Sequence, residues 1–211
     1  MSSAEAAVID RNFAGRYARD MDKVQERILL EQIRSGDEAG FEILVKQHAD
    51  RVTGLAWRLL GHRQEAEDIA QEAFLRLHRA LPEFRGDSRV STWLYRTVTR
   101  LAIDFMRRER LKRRLFFSRR DEDDFDPVDL ASDPRDNPER DLNGKQAVRR
   151  LRQALGRLSP RQRAIFTLRH YEGMSLRDIA ELLDIEEGTV KTHLHRAVTV
   201  LRSELTEFQE D

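Results

Sequence analysis

Hydrophobic residues recur every three or four positions along most of the chain, which is the spacing of amphipathic helices. The spacing predicts one helix over Asp37–Gly61 and a second over Glu65–Leu81, ended by Pro82. A third is predicted from Ser91 onward with Ser91 as its N-cap, and an added helix near Val24–Ile33. Strand-like alternation is not seen, so this half of the chain is predicted to be a helical bundle.

Helical spacing resumes over residues 147–158. The dipeptide Ser159-Pro160 is typical of a helix start, with Ser at the cap and Pro in the first turn, and Gly173 is typical of a helix end. Two further helices are predicted, at residues 175–183 and 187–205. The fold class is therefore expected to be all-α, with two helical domains.

The composition limits the classes of function. The chain has 211 residues, 36% charged and 39% hydrophobic, and no cysteine, which excludes disulfides, thiol catalysis and cysteine-ligated zinc. The sequence has no apolar run long enough to span a bilayer, and its start does not resemble a secretory signal. A cytoplasmic location without membrane insertion is expected.

The formal net charge of zero conceals a strong segregation of charge along the chain. Residues 1–88 carry a net −3, residues 89–120 a net +9, residues 121–141 a net −8 and residues 142–211 a net +2. The −8 block contains three of the five prolines and no helical spacing, so we interpret it as a linker between two domains. An acidic tether that only keeps the domains apart is an equally good interpretation.

The segment SLRDIAELLDIEEGTVKTHLHRAV has the pattern of a helix-turn-helix. Asp184 lies at the turn, where a residue that tolerates a left-handed conformation is needed. The apolar residues with the required spacing are Ile179, Ala180, Leu183, Ile185, Val190 and Leu194. The second helix exposes side chains able to reach phosphates and base edges: Thr189, Lys191, Thr192, His193, His195 and Arg196. A helical hairpin with a merely solvated charged face is the alternative.

A second candidate for nucleic-acid binding is the +9 block. Its basic residues cluster at one end, at Arg107, Arg108, Arg110, Lys112, Arg113 and Arg114. Four aromatic residues precede or join them, namely Phe84, Trp93, Tyr95 and Phe105. Cations that follow a backbone and rings that stack on bases are the components of single-strand binding, although the rings fit a helical core as well.

An acidic face on the second predicted helix is formed by Glu67, Asp68, Gln71 and Glu72. No neighbouring His, metal triad, phosphate loop or nucleophile elbow accompanies these carboxylates, so we do not expect an enzyme or a cofactor. His193 and His195 are two residues apart and point to different helix faces, so no metal site is expected. The face suits either a basic protein partner or plain solvation.

Three segments together resemble the sigma-70 family, and within it the extracytoplasmic-function (ECF) group of bacterial sigma factors. The segments are AEDIAQEAFLRLHRAL, STWLYRTVTRLAIDFMRR and LSPRQRAIFTLRHYEGMSLRDIAELLDIEEGTVKTHLHRAVTVLR. The resemblance implies an N-terminal extension (1–36), a region 2-like domain (37–114), an acidic linker (115–142) and a region 4-like helix-turn-helix domain (143–211).

The resemblance also implies a role in transcription initiation and stress response, with core RNA polymerase, promoter DNA and an anti-sigma factor as partners. It implies that Asp68, Gln71 and Glu72 dock on the β′ clamp helices and that the region 4-like domain docks on the β-flap. The resemblance assigns recognition of the minus-10 element and strand opening to nine residues: Phe84, Arg85, Ser88, Trp93, Tyr95, Arg96, Arg100, Arg107 and Arg108. It assigns recognition of the minus-35 element to Thr189, Lys191, Thr192, His193 and Arg196.

Two positions depart from the family pattern. Arg100 stands where Asn is frequent, and His193 stands where Arg is common, so minus-35 phosphate contacts are expected to be weaker or pH-sensitive. A stand-alone duplex-binding regulator is the competing interpretation, since TVKTHL also resembles a LuxR-type helix-turn-helix. A helical enzyme is the third, and it lacks a supporting site.

Overall fold

The computed structural model describes residues 22–84, 86, 88–116 and 153–207. These residues are helical with connecting turns and contain no strand, as the all-α prediction requires. The first unit contains α1 (Lys23–Arg34), α2 (Glu38–Leu60), α3 (Arg63–Ala80), a 3-10 turn (Leu81–Glu83) and α4 (Val90–Phe116). The second contains α5 (Pro160–His170), α6 (Leu176–Leu183) and α7 (Glu187–Glu207).

The boundaries of α2 follow from its terminal residues. The Asp37 side chain accepts a hydrogen bond from the Ala39 amide at 3.0 Å, which satisfies one of the open N–H groups of the first turn. Gly61 ends the helix in a left-handed conformation, with φ of 80°. Both ends agree with the helix predicted over Asp37–Gly61.

The prediction that Ser91 caps α4 is wrong. The helix begins at Val90, and Ser91 is buried within the first turn. The acceptor at this helix end comes instead from Glu26 of α1, whose Oε1 receives the Val90 amide at 3.0 Å. The open N–H group at the start of α4 is therefore satisfied by Glu26, which lies 64 positions from Val90, and not by the adjacent Ser91.

Helix α1 forms part of the first unit. Leu29 and Leu30 are buried in its hydrophobic core, and Glu26 also forms an ion pair with Arg89 at 3.5 Å. The Arg34 guanidinium donates to the carbonyl oxygen of Phe84. The part of the predicted N-terminal extension that the structure describes, residues 22–36, therefore packs as an element of the helical bundle.

The second unit has the predicted turns. Ser159 forms a capping box with Gln162 at the start of α5, and Ser175 caps α6 by accepting from the Asp178 amide. Asp184 adopts a left-handed conformation with φ of 57° between α6 and α7, as predicted for the turn of a helix-turn-helix. The acidic segment 121–141 lies outside the described residues.

The two helical units pack against each other. Helix α4 contacts α5 and α6, and α2 contacts α5. Buried side chains of both units, from Leu44 and Leu94 in the first to Ile165 and Ile179 in the second, belong to one continuous hydrophobic cluster. Separating the units would therefore expose apolar surface to water.

Candidate nucleic-acid and protein interfaces

Helix α3 presents the predicted acidic face to solvent. Asp68 and Gln71 are exposed, and the Glu72 side chain is 40% exposed while paired with Arg76 at 2.7 Å. Asp68 accepts a longer hydrogen bond, 3.3 Å, from Gln64. The opposite face of α3 is buried in the core by Ala66, Ile69, Ala70, Ala73, Phe74 and Leu77. The three candidate residues therefore lie together on one accessible helix face.

Leu75 extends this face with an apolar side chain that is 47% exposed. It lies three residues after Glu72 and four after Gln71, which places it on the same side of the helix. Sequence reasoning missed Leu75 because it looked only for the apolar stripe that packs inward. The signal was present, since Leu75 falls outside that stripe. A single exposed leucine is ordinary on a protein surface, so Leu75 adds apolar area to this face without identifying a partner.

The segment before α4 holds the first predicted minus-10 residues. Phe84 is buried, and its carbonyl is bound by Arg34, while Ser88 is half-buried. Trp93 is half-buried against the core, in line with the packing alternative for the aromatic residues. Arg85 lies outside the described residues.

Tyr95 and Arg96, also predicted for minus-10 DNA, face the second unit. The Tyr95 hydroxyl donates to Glu172 Oε2 at 3.2 Å, and Arg96 Nη2 donates to the Glu181 carbonyl at 3.2 Å. Burial, together with the nearby Arg100 charge, lowers the pKa of Arg96. In this arrangement both side chains are engaged within the protein.

A buried ion pair joins the two units at the same place. Arg58 of α2 contacts Glu172 Oε1 through Nε at 2.7 Å and through Nη2 at 2.6 Å. The Glu172 side chain is only 4% exposed, and the Arg58 side chain is 28% exposed. Together with the Tyr95 hydroxyl, this gives Glu172 a partner on each carboxylate oxygen, as a buried charge requires.

The remaining predicted minus-10 residues are exposed along α4. Arg100 points to solvent, Arg107 pairs loosely with Asp104 at 3.6 Å, and Arg108 donates to the Asp104 carbonyl at 3.4 Å. Exposed cations continue toward the end of the helix at Arg110, Lys112, Arg113 and Arg114. The exposed basic surface is therefore concentrated at the C-terminal end of α4, away from Tyr95.

Helices α6 and α7 form the predicted helix-turn-helix. Their crossing is packed by Ile179, Ala180, Leu183 and Val190, all buried. The outward face of α7 carries the predicted minus-35 residues: Thr189, Lys191, Thr192, His193 and Arg196. Such a helix with a polar, cationic outer face has the form that enters a major groove.

The side chains on the outer face of α7 are not equally available. Lys191 pairs with Glu187 at 2.8 Å but is 61% exposed, whereas the Thr192 hydroxyl donates to the Gly188 carbonyl at 2.9 Å. Burial and the charges of Arg161 and Arg196 lower the pKa of His193. His193 therefore favours the neutral form at neutral pH.

Arg161 is a residue that sequence reasoning missed. Its charge lowers the pKa of His193 in α7, although Arg161 belongs to the first turn of α5. No local pattern distinguishes Arg161 from the other arginines of that helix, because its position depends on how α5 packs on α7. The charge of a second helix therefore acts on one of the candidate minus-35 residues.

The described residues contain no group of three or more His, Cys, Asp or Glu placed to hold a metal ion. Within the same part of the chain, no helix combines the length and apolar composition needed to cross a membrane.

Comparison with known proteins gives matches in both units. The Sigma-70 region 2 family model matches residues 44–112, and the Sigma-70 region 4 model matches residues 148–201. RNA polymerase sigma-H factor of Pseudomonas aeruginosa is 34% identical, over 82% of this chain and 90% of its own. ECF RNA polymerase sigma factor SigW of Bacillus subtilis is 32% identical, over 85% of this chain and 96% of its own.

Two solved structures have a similar fold. CnrH, in complex with the cytosolic domain of CnrY, aligns with a TM-score of 0.58 at 22% identity, over 86% of this chain and 97% of CnrH. The sigma factor RpoE of Bartonella quintana, in complex with the anti-sigma factor NepR, aligns with a TM-score of 0.58 at 20% identity, over 79% and 96% of the chains. With both family models and these relatives in agreement, the chain belongs to the ECF group of the sigma-70 family and is a sigma factor for transcription initiation.

Proposed function

We propose that this sigma factor joins core RNA polymerase through the acidic face of α3, with Asp68, Gln71 and Glu72 against the clamp helices of β′. Their shared exposure supports this assignment, and Leu75 adds apolar contact area beside them. The observation that carries the proposal is that this face and the outer face of α7 are exposed on separate units. A subunit that guides polymerase to a promoter must hold the enzyme and the DNA at once.

We assign recognition of the minus-35 element to the outer face of α7. Lys191 and Arg196 are the exposed cations there, and the charge of Arg161 in α5 acts on the neighbouring His193. Thr189, Thr192 and His193 complete the face with polar side chains shorter than those of Lys191 and Arg196. Arginine reads guanine or phosphate with two donors, so Arg196 is the residue on which base specificity should depend most. The second unit would at the same time dock on the β-flap.

We assign the minus-10 element to the segment around Phe84 and to α4. The exposed cations Arg100, Arg107 and Arg108 can follow a DNA backbone as the units now stand. Tyr95 and Arg96 become available only when the second unit moves away, because both donate hydrogen bonds to it. Binding to core polymerase would supply the free energy for that separation, and strand opening would follow it.

An anti-sigma factor is proposed as a further partner, because the similar solved structures are complexes of sigma factors with such proteins. No catalytic activity is proposed for the chain itself, since a sigma factor directs the chemistry of the polymerase. Its site of work is the bacterial cytoplasm, where transcription takes place.

Run-off transcription with core polymerase tests the proposal. The chain should yield a promoter-dependent product with core enzyme and should bind duplex promoter DNA poorly alone. Asp68→Arg should impair core binding and transcription, whereas the matched charge reversal Glu42→Arg, on an exposed position of α2, should leave both unchanged. A chain that shifts duplex DNA equally well with and without core enzyme would favour the stand-alone regulator, and normal core binding by Asp68→Arg would remove the α3 face.

A further inference from the structure

A groove of about 810 Å³ lies between the two helical units. One wall is the C-terminal part of α4, from Phe105 to Arg113, and the opposite wall is the chain from Gly156 to Arg163. The end of α2 and the start of α3 close one side. The groove is separate from the acidic face of α3 and from the outer face of α7.

Arg163 lines this groove and is buried, with 8% of its surface exposed. Its Nε finds no hydrogen-bond partner among the residues that the structure describes. Burial lowers its pKa to about 10, an effect that Tyr171 partly opposes, so the guanidinium remains charged at neutral pH. A buried cation with an unsatisfied donor is costly unless an anion completes it.

The rim of the groove adds more positive charge. Arg110 and Arg113 are exposed on α4, and Arg157, in a long ion pair of 3.8 Å with Glu204, lies on the opposite wall. Two carboxylates also line the groove, Glu65 and Glu109, and Glu109 is paired with Lys112 at 2.8 Å. Four arginines against two carboxylates leave a net charge of +2 with His62 neutral. The groove therefore suits an anionic ligand with more than one charged group.

The chain itself supplies such a ligand next to the groove. Helix α4 is described to Phe116, three residues past Arg113, and the described chain resumes at residue 153, three residues before Gly156. The described chain therefore ends near one wall of the groove and resumes near the other. Residues 121–141 of that segment hold ten acidic and two basic side chains, a net charge of −8. Tethering raises the local concentration of these carboxylates to the order of mM.

We propose that carboxylates of residues 121–141 bind this groove in the protein when core polymerase is absent, with Arg163 as the buried contact and Arg110, Arg113 and Arg157 at the rim. The carboxylates supply the counter-charge for the buried guanidinium of Arg163 where this side chain lines the groove. Because the groove is built from both units, an occupied groove also favours their packed arrangement and keeps Tyr95 covered. The neutral net charge of the chain then reflects an internal ion-pair network.

The absence of cysteine allows a clean test on the full chain. A nitroxide attached at Leu130→Cys should broaden the backbone amide signals of Arg113, Gly156 and Arg157 at low salt. The broadening should disappear near 1 M salt, where charges are screened within about 3 Å. It should also be lost in the double variant Arg113→Gln/Arg157→Gln and retained in Arg114→Gln, which removes one positive charge at the exposed position next to Arg113, outside the groove.

Arg163→Gln should abolish the broadening as well, and the exposed double variant keeps the test decisive if that buried substitution unfolds the protein. Absence of broadening at low salt overturns the proposal, as does equal broadening in the double variant. Titration with a single-stranded oligonucleotide tests whether the groove binds nucleic acid instead of the acidic segment. If the oligonucleotide shifts the groove signals equally in the wild type and in a chain with residues 121–141 neutralised to Asn and Gln, the groove binds nucleic acid and not the acidic segment.

Discussion

Glu172→Gln should loosen the packing of the two helical units without disturbing either unit. Glu172 belongs to the second unit, and both of its carboxylate oxygens are bound by the first, Oε1 by Arg58 and Oε2 by Tyr95. The substitution keeps the volume of the side chain and removes its charge. It therefore weakens the charge-assisted hydrogen bonds and leaves the Arg58 guanidinium without a counter-ion at this contact.

The free-energy cost of Glu172→Gln depends on how deeply Glu172 and Arg58 are buried. Removing one member of a buried ion pair costs about 3–5 kcal/mol, and a hydrogen bond to a charged group contributes about 1.5–3 kcal/mol. The Arg58 side chain is 28% exposed, so water compensates part of the loss, and about 2 kcal/mol is the reasonable value. That free energy corresponds to roughly a thirtyfold shift from packed toward separated units.

Single-molecule energy transfer measures this shift directly. Dyes at Lys46→Cys in α2 and Ser203→Cys in α7, both exposed positions, report the separation of the units. Glu172→Gln should increase the low-transfer population strongly, whereas Glu67→Gln, which breaks a solvent-exposed ion pair within α3, should leave it unchanged. An unaltered transfer distribution in Glu172→Gln, or the same change in the control, would refute the role given to this ion pair.

Three further outcomes are expected. Glu26→Ala should lower the free energy of unfolding by about 3–5 kcal/mol in urea titrations, because the buried Arg89 loses its counter-ion and the Val90 amide its acceptor; a loss below about 0.5 kcal/mol, usual for surface changes, would contradict this. Arg196→Ala should weaken promoter binding by the holoenzyme by about 1–3 kcal/mol if Arg196 contacts a base, or lower the salt slope by about one if it contacts phosphate; unchanged affinity and slope would exclude it. His193 should titrate in NMR spectra below the ordinary histidine pKa of 6.5, and Arg161→Gln should raise that midpoint. Because the charged form appears only as the pH falls through this lowered pKa, minus-35 affinity should be flat above neutral pH and rise on acidification; a midpoint insensitive to Arg161→Gln would refute the proximity.

Several site residues could be predicted because their signals are local. The acidic face of α3 and the outer face of α7 follow from helical spacing alone, and both are exposed in the structure. Leu75 could have been found as an apolar residue outside the inward stripe. Arg161 and Arg163 could not, because the charge of Arg161 acts on His193, and Arg163 lines the groove, only after α5 has packed. Whether the assigned residues contact polymerase and DNA stays a prediction.

The sequence by itself determined the helices, most of their ends and the turn of the helix-turn-helix. These features depend on side chains within three or four residues of each other, as in the capping boxes of Ser159 and Ser175. Only the tertiary structure decided that Glu26 serves the start of α4 and that Glu172 joins the units, since their partners lie between 64 and 114 residues away. Chain periodicity carries no information about such pairs, because a buried charge takes whichever partner the packing of distant helices brings within reach.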